Sequence, residues 1–376
     1  MTTVHTWRRV LECGVLAVAI LLICSFLSAS PAAAQQSFAI FIVDSAADWP
    51  DAAPGNGICA ALMPRPWLPP RCTLRAAIEE INGGSQTTTI SLPAGSYLLN
   101  SQLVINKDVH LYGAGADRSV IDAKRLHRVL DIGSGAVAEI SGVMIQNGVA
   151  EQSIVVTSHY HGGAIHNHGT LLLRNSAISG SVATTSQPDG GGIYNAGSAR
   201  LDNVTLSYNS ATKGGGIYDS GGAVLNNVTI SGNLASQGGG IYSAAIQTLL
   251  TNSIVADNDA LPSGMNCFVA PSGTVVDGGF NLQHALTPSN SMSCGTIISV
   301  ADPQLQPVVN GNGSAIYFLL PKWSAAIDFG NPAAPNGLGG ACAADDLRFI
   351  ARPQDGDGIF GARCDIGAYE RRPTDP

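Results

Sequence analysis

Between residues 190 and 258 the chain says nearly the same thing three times. Gly190-Gly191-Gly192-Ile193-Tyr194 returns as Gly214-Gly215-Gly216-Ile217-Tyr218 and as Gly238-Gly239-Gly240-Ile241-Tyr242, a step of 24 residues. Each copy is followed by an apolar phrase holding an asparagine (residues 201–206, 225–230 and 250–255) and then by a second asparagine, Asn209, Asn233 or Asn258. A degenerate earlier copy starts at Gly162 and contains Leu173-Arg174-Asn175-Ser176-Ala177-Ile178. A fixed period in this range marks a solenoid, one structural unit per repeat.

Two solenoids compete for this pattern. Leu201, Val204, Leu206 and Asn209 carry leucine-rich-repeat spacing, but that fold needs a helix or an extended run in the other half of each repeat. Here the other half is Ser210-Ala211-Thr212-Lys213 and three glycines, which weaken any helix. The repeat parses instead as three short strands, residues 192–195, 199–203 and 204–207, with small polar turns between them. At roughly 3.3 Å per residue a repeat has a contour of about 80 Å, enough to circle a three-sided coil once. Stacked coils pair each strand in parallel with its copies and bury Ile193, Leu201, Val204 and Leu206 with their equivalents. The expected fold is all-β, a right-handed parallel β-helix.

Trp7-Arg8-Arg9, an apolar run over residues 14–27 and Ala32-Ala33-Ala34 together read as a secretory signal peptide over residues 1–34. Its apolar part is too short for a comfortable membrane span, and no second long apolar segment follows, so no transmembrane segment is expected in the mature chain. Only 12% of residues are charged while 44 are glycine, a composition that suits stacked strands rather than helices. The net charge of -8 argues against nucleic acid or an anionic membrane as partner. Six cysteines remain after export, and in an exported chain they are expected as disulfides. Local pairing is expected, Cys59 with Cys72, Cys267 with Cys294 and Cys342 with Cys364, because these cysteines lie outside the repeats, where no regular core holds the loops.

The best helix spans residues 72–82. Leu74, Ile78 and Ile81 share one face and Asn82-Gly83-Gly84 ends it. A solenoid leaves its apolar interior open at each end, so this helix is expected as a plug. The organisation read from the chain is then a cap over 35–86, coils over 87–262, a disulfide-bonded C-terminal module over 263–370 and a tail over 371–376.

At its ends the chain resembles a known group of proteins. Cys72-Thr73-Leu74-Arg75-Ala76-Ala77 resembles the CSLREA motif of secreted bacterial proteins, with Thr73 and Ala76 in place of the usual Ser and Glu. Residues 90–97 and 112–116 fit the opening coils of that family. The glycine-rich repeats are similar to polymorphic outer-membrane-protein adhesins, and residues 351–358 with 364–370 look like the choice-of-anchor Q domain. The resemblance implies a pectate-lyase-like β-helix, secreted or displayed on the cell surface, and implies no catalytic residues.

Folds of this kind host polysaccharide lyases and hydrolases, so the acids must be counted. Hydrolysis needs two facing carboxylates, and a lyase needs acids for calcium and a base. Stacking the repeats places Arg174, Asp202, Asn226 and Thr251 in one column and Asn167, Asn195, Asp219 and Ser243 in another. A third holds His161, Asp189, Lys213 and Gln237. No column stacks two acids, and Asp189 beside Lys213 reads as an exposed salt bridge. No catalytic residue is therefore assigned. A lyase or hydrolase with loop-borne acids is the alternative, and a plain surface spacer the third reading.

His159, His161, His166 and His168 offer imidazoles at metal-like spacing, but without nearby acids or cysteine they read as a polar loop and a strand, and no metal is assigned. Asp355-Gly356-Asp357-Gly358 hints at calcium yet lacks the twelve-residue loop with its terminal glutamate, so it reads as a turn and no cofactor is expected. Tyr194, Tyr218 and Tyr242 each follow an inward isoleucine and so point outward, with His166 one coil earlier. Coils about 4.8 Å apart would stack them into a flat aromatic strip against which sugar rings lie, with Asn195, Asp219 and Ser243 offering hydrogen bonds beside it. The competing reading is a purely structural ladder. Insertions over 151–161 and 181–189 would wall that face. Asn203, Asn227 and Asn252, and separately Asn209, Asn233 and Asn258, are expected as asparagine ladders bonded from coil to coil. The function expected is the presentation of a long surface to a polysaccharide or another cell-surface molecule.

Overall fold

The computed structural model describes residues 40–62, 69–84, 88–150, 160–183, 189–263, 265–285, 294–295, 298–359 and 361–375. The expected signal peptide and His159 lie outside these residues. Within them each repeat closes one coil of a parallel β-solenoid. Ile165 pairs in register with Ile193, Ile217 and Ile241. Leu173, Leu201, Leu225 and Leu250 form a second column, and Ile178, Leu206, Ile230 and Val255 a third. All twelve side chains are fully buried. Burial of each is worth about 1.5–3 kcal/mol, which is why the period of the sequence dictates the period of the fold.

The glycine triplets are explained by crowding between coils. Gly190 sits at φ +73, and a Cβ on Gly191 would stand 2.5 Å from Gly215 O of the next coil. The second device is the corner between the second and third strands. Residues 198–207 run as one strand, Ser198–Ser207, because Asn203 alone turns the chain by adopting φ +54. Asn175, Asn227 and Asn252 do the same in their own coils. Asparagine tolerates this left-handed conformation better than other side chains with a Cβ.

Three faces result. The first carries seven parallel strands, from Leu103–Ile105 to Cys267–Val269, with the tyrosines outside. The second carries Arg174, Asp202 and Asn226 in the expected column. On the third, both sides of the strands are buried, because the C-terminal chain packs over it: the hairpin Gln306–Val309 with Ala315–Leu319 sets Ile316 against Ala116, Met144 and Ala177. Further along, Leu320, Ile327, Ile366 and Tyr369 pack on Ile254, Ala256 and Leu282.

The helix Leu74–Gly83 plugs the first coil with Leu74, Ile78 and Ile81 buried, and Thr73 caps it by accepting Ala76 N–H at 3.0 Å. All three expected disulfides are formed. Two boundaries differ from expectation. Parallel pairing continues past residue 262, through Cys267–Val269, Leu282–His284 and Ser299–Val300. Cys267 takes the inward position that Ile241 holds one coil earlier, so its disulfide closes the core instead of pinning an outside loop. Residues 371–375 are no tail. Arg371 and Asp375 are buried, and Asp375 accepts from Tyr369 Oη and from Arg372. Among the described residues no helix is long and apolar enough to cross a membrane.

Candidate functional site

The tyrosine column forms as alternation requires, and it is longer than expected. Ring centroids of Tyr194 and Tyr218 lie 5.2 Å apart, of Tyr218 and Tyr242 5.0 Å, and of Tyr242 and Phe268 5.1 Å, with planes within 12° of parallel. Phe268 escaped the sequence reading because Cys267 replaces the marker isoleucine. At the other end His161 and His166 both stack on Tyr194, at 4.4 and 5.3 Å. His166 Nδ1 is held by Asp131 Oδ1 at 2.9 Å, and its Nε2 meets His168 Nε2 at 3.0 Å.

This geometry revises the expected sugar platform. The rings turn their faces to one another and are spent on stacking, leaving their rims toward solvent, while Tyr242 is buried. Asn195 and Asp219, expected to hydrogen-bond a ligand beside the rings, are 0% exposed. Alternation puts them on the inward side with Ile193 and Ile217, where they form a ladder: Asn167 Nδ2 donates to Asn195 Oδ1 at 2.7 Å and Asn195 Nδ2 to Asp219 Oδ1 at 2.8 Å. Ser243 is buried with them and bonds Thr248.

The expected exposed pair of Asp189 and Lys213 is absent among the described ion pairs. Lys213 Nζ stands 5.5 Å from the centre of the Tyr242 ring. Asp189 is buried, which pushes its carboxyl up to about 6 against the pull of Lys213. Its N–H donates to His161 Nδ1 at 3.1 Å, fixing that ring as an acceptor, and burial followed by the nearby His166 and Arg128 holds His161 down to about 4.

An open cleft lies on the second face. Residues 336–345 of the C-terminal chain arch over it and enclose a cleft of about 500 Å³ with Tyr112, Glu139, Arg174, Arg200, Asp202 and Asn226. The arch is fastened to the corner asparagines. Asn203 Nδ2 donates to Asp345 O at 2.6 Å, Asn252 Nδ2 to Gly340 O at 2.8 Å, and Ala343 N–H to Asn227 Oδ1 at 3.0 Å. Among the described hydrogen bonds none joins Asn203, Asn227 and Asn252 to one another: Asn203 Nδ2 reaches back to Asn175 Oδ1, while Asn227 and Asn252 turn their amides to Gly367 O and Gly340 O, so the expected ladder is replaced by a docking rail for the C-terminal chain. Asn203 and Asn227 are fully buried.

Inside the cleft Arg200 holds Asp202 through two bonds of 2.7 and 2.8 Å, and Arg174 approaches the same carboxylate at 3.7 Å. Both guanidinium side chains remain nearly half exposed while Asp202 is covered. Glu139 is tied to His110 Nδ1 at 2.9 Å, and the Tyr112 hydroxyl has its pKa raised by burial and then by the neighbouring Glu139 carboxylate. Glu139 and Asp202 stand two coils and one column apart, roughly 12 Å between their backbones.

The model of the Chlamydia polymorphic membrane protein repeat matches residues 227–244, part of one coil from the Asn227 corner through the Tyr242 strand. No curated protein and no solved structure matches the chain. Together with the β-solenoid and its disulfides, that partial match points to a surface-exposed repeat protein.

Proposed function

We propose that this protein is an exported, surface-displayed β-solenoid that binds a glycan in the cleft of its second face and does not cleave it. The carrying observation is the pair of half-exposed guanidiniums, Arg174 and Arg200, anchored on the covered Asp202 and facing the same space as Tyr112, which is 43% exposed. Fixed planar donors suit vicinal hydroxyls or uronate carboxylates, and an exposed phenol ring suits the apolar face of a sugar. The CSLREA-like helix and the anchor-Q-like end belong to the same reading, as caps of a chain carried out of the cell by residues 1–34. Retention of purified protein on a polysaccharide panel, with products assayed in parallel, tests the proposal. Binding without products, weakened at least tenfold by Arg200→Ala or Tyr112→Ala and unchanged by Tyr218→Phe, is expected. New reducing ends or unsaturated products would replace this reading with a hydrolase or lyase centred on Glu139. Neither binding nor products would leave a surface spacer.

A further inference from the structure

Far from the cleft, the fold completes a constellation that the sequence shows only in part. Asp355 and Asp357 lie in a turn, where Asp355 Oδ1 accepts Gly358 N–H and Asp357 Oδ1 accepts Ile359 N–H, each at 2.7 Å. Asp328, almost thirty residues earlier, joins them: one carboxylate oxygen from each of the three lies within 4.8 Å of the others. Asp328 is 3% exposed. Its Oδ1 accepts Arg363 N–H at 3.1 Å, but its Oδ2 is buried without any hydrogen-bond partner. The residue cannot easily turn away. It sits at φ +59, with its own N–H bound to Asp365 Oδ1 at 2.8 Å.

An unbonded buried carboxylate oxygen beside two further acids is an arrangement that water and neighbouring N–H groups normally prevent. Arg363 supplies its backbone N–H to Asp328, while its Nη2 donates to Gly330 O. A bound cation removes both the orphaned oxygen and the like-charge crowding. We propose that Asp328, Asp355 and Asp357 form a calcium site. The donors are all hard oxygens, with no imidazole or thiolate among them, and their origin in two loops allows the adaptable shell that calcium accepts and the smaller magnesium ion does not. The ion clamps the loop at 355–358, whose Gly356 O already accepts Arg371 Nε at 3.2 Å, to the segment that carries Ile327 into the module core. Calcium here braces the chain that roofs the cleft. The site stands whether or not the cleft binds a glycan.

The test is calcium titration of the full mature chain after chelator treatment and dialysis, followed by calorimetry and by terbium luminescence as a second probe. One equivalent should bind with Kd of about 10⁻⁴ to 10⁻³ M, the range of extracellular modules, and raise the Tm of the C-terminal transition. Asp357→Asn and Asp355→Asn, at partly exposed positions, should each weaken that equivalent at least tenfold with unchanged near-ultraviolet circular dichroism. Asp328→Asn should abolish it. The proposal is overturned if the wild-type chain binds no calcium at 5 mM, if the Asp355 and Asp357 variants keep the same stoichiometry and affinity, or if magnesium binds equally well. Polysaccharide retention is recorded on the same samples, so loss of the calcium equivalent and loss of glycan binding are read separately.

Discussion

Replacement of Asn233 by alanine isolates what the interior amide ladder contributes. Asn233 is fully buried, and its Oδ1 accepts both Asn209 N–H at 3.0 Å and Asn209 Nδ2 at 3.1 Å. Its Nδ2 donates to Leu206 O and to Asn258 Oδ1, both at 2.9 Å. Truncation does not orphan everything. Asn258 Oδ1 keeps Asn233 N–H at 3.0 Å, and Asn209 Nδ2 keeps Ile178 O at 3.1 Å. Asn209 N–H, however, loses its acceptor inside the protein, at about 1–3 kcal/mol, and the broken bonds to Leu206 and Asn258 add about 1 kcal/mol each. The expected loss is about 3–5 kcal/mol, against under 0.5 kcal/mol for Ser236→Ala, an exposed hydroxyl in the same repeat. Stability in a solenoid is a sum of coil and neighbour terms, so the loss should be local to the coils on either side. Urea unfolding followed by circular dichroism gives the total, and hydrogen exchange by mass spectrometry locates it. The reasoning fails if Asn233→Ala costs less than 1 kcal/mol, or if the peptide holding Asn209 exchanges at the wild-type rate.

Three further outcomes follow from the same geometry. Tyr218→Leu removes two stacking contacts worth about 0.5–1.5 kcal/mol each beyond area burial, and should lower the urea midpoint without changing retention on polysaccharide; a loss of retention with the midpoint intact would return the ligand to the aromatic face. Glu370→Gln strips the partner from buried Arg352, which also donates to Gly367 O at 2.8 Å, and should destabilise the module by about 3–5 kcal/mol, read as proteolytic nicking within residues 336–345 before the coils open. The third concerns pH. His161, held down to about 4 from an ordinary 6.5, loses stability for the fold as pH falls from 6.5 to 4, since the unfolded chain takes up that proton first. Asp189, pushed up to about 6 from 3.8, does the opposite between pH 6 and 3.8, because the folded chain takes up the proton first. The two slopes offset in the wild-type protein. Asp189→Asn should expose the His161 slope as about 1–2 kcal/mol lost between pH 6.5 and 4, after discount for a side chain 25% exposed, and His161→Gln should reverse its sign. Urea midpoints at three pH values check this, and identical profiles for both variants would contradict it.

The interior was legible because a parallel β-solenoid repeats one set of local instructions. The isoleucine, leucine and asparagine columns, the glycine triplets and the helical plug all carry their signal within a single repeat or a single turn, and the same burial term acts at every coil. Local reading failed where a residue's face was judged by its neighbours' apparent role. Asn195 and Asp219 follow the outward tyrosines by one position, which places them inside, where amide-to-carboxylate bonding satisfies them. Cys267 hid the last coil because a disulfide half, and no isoleucine, fills its inward position.

The cleft and the acid cluster depend on contacts that leave no period. Asn203 meets Asp345 across 142 residues, and Asp328 reaches the turn at 355–357 only because the C-terminal chain folds back on itself over the third face. Loop closure over such spans is decided by the summed packing of the hairpin, Ile327 and Tyr369 against the coils, a quantity spread over many residues. Coil shape is thus written residue by residue in the repeats, whereas what the coils hold is settled only when the last hundred residues dock.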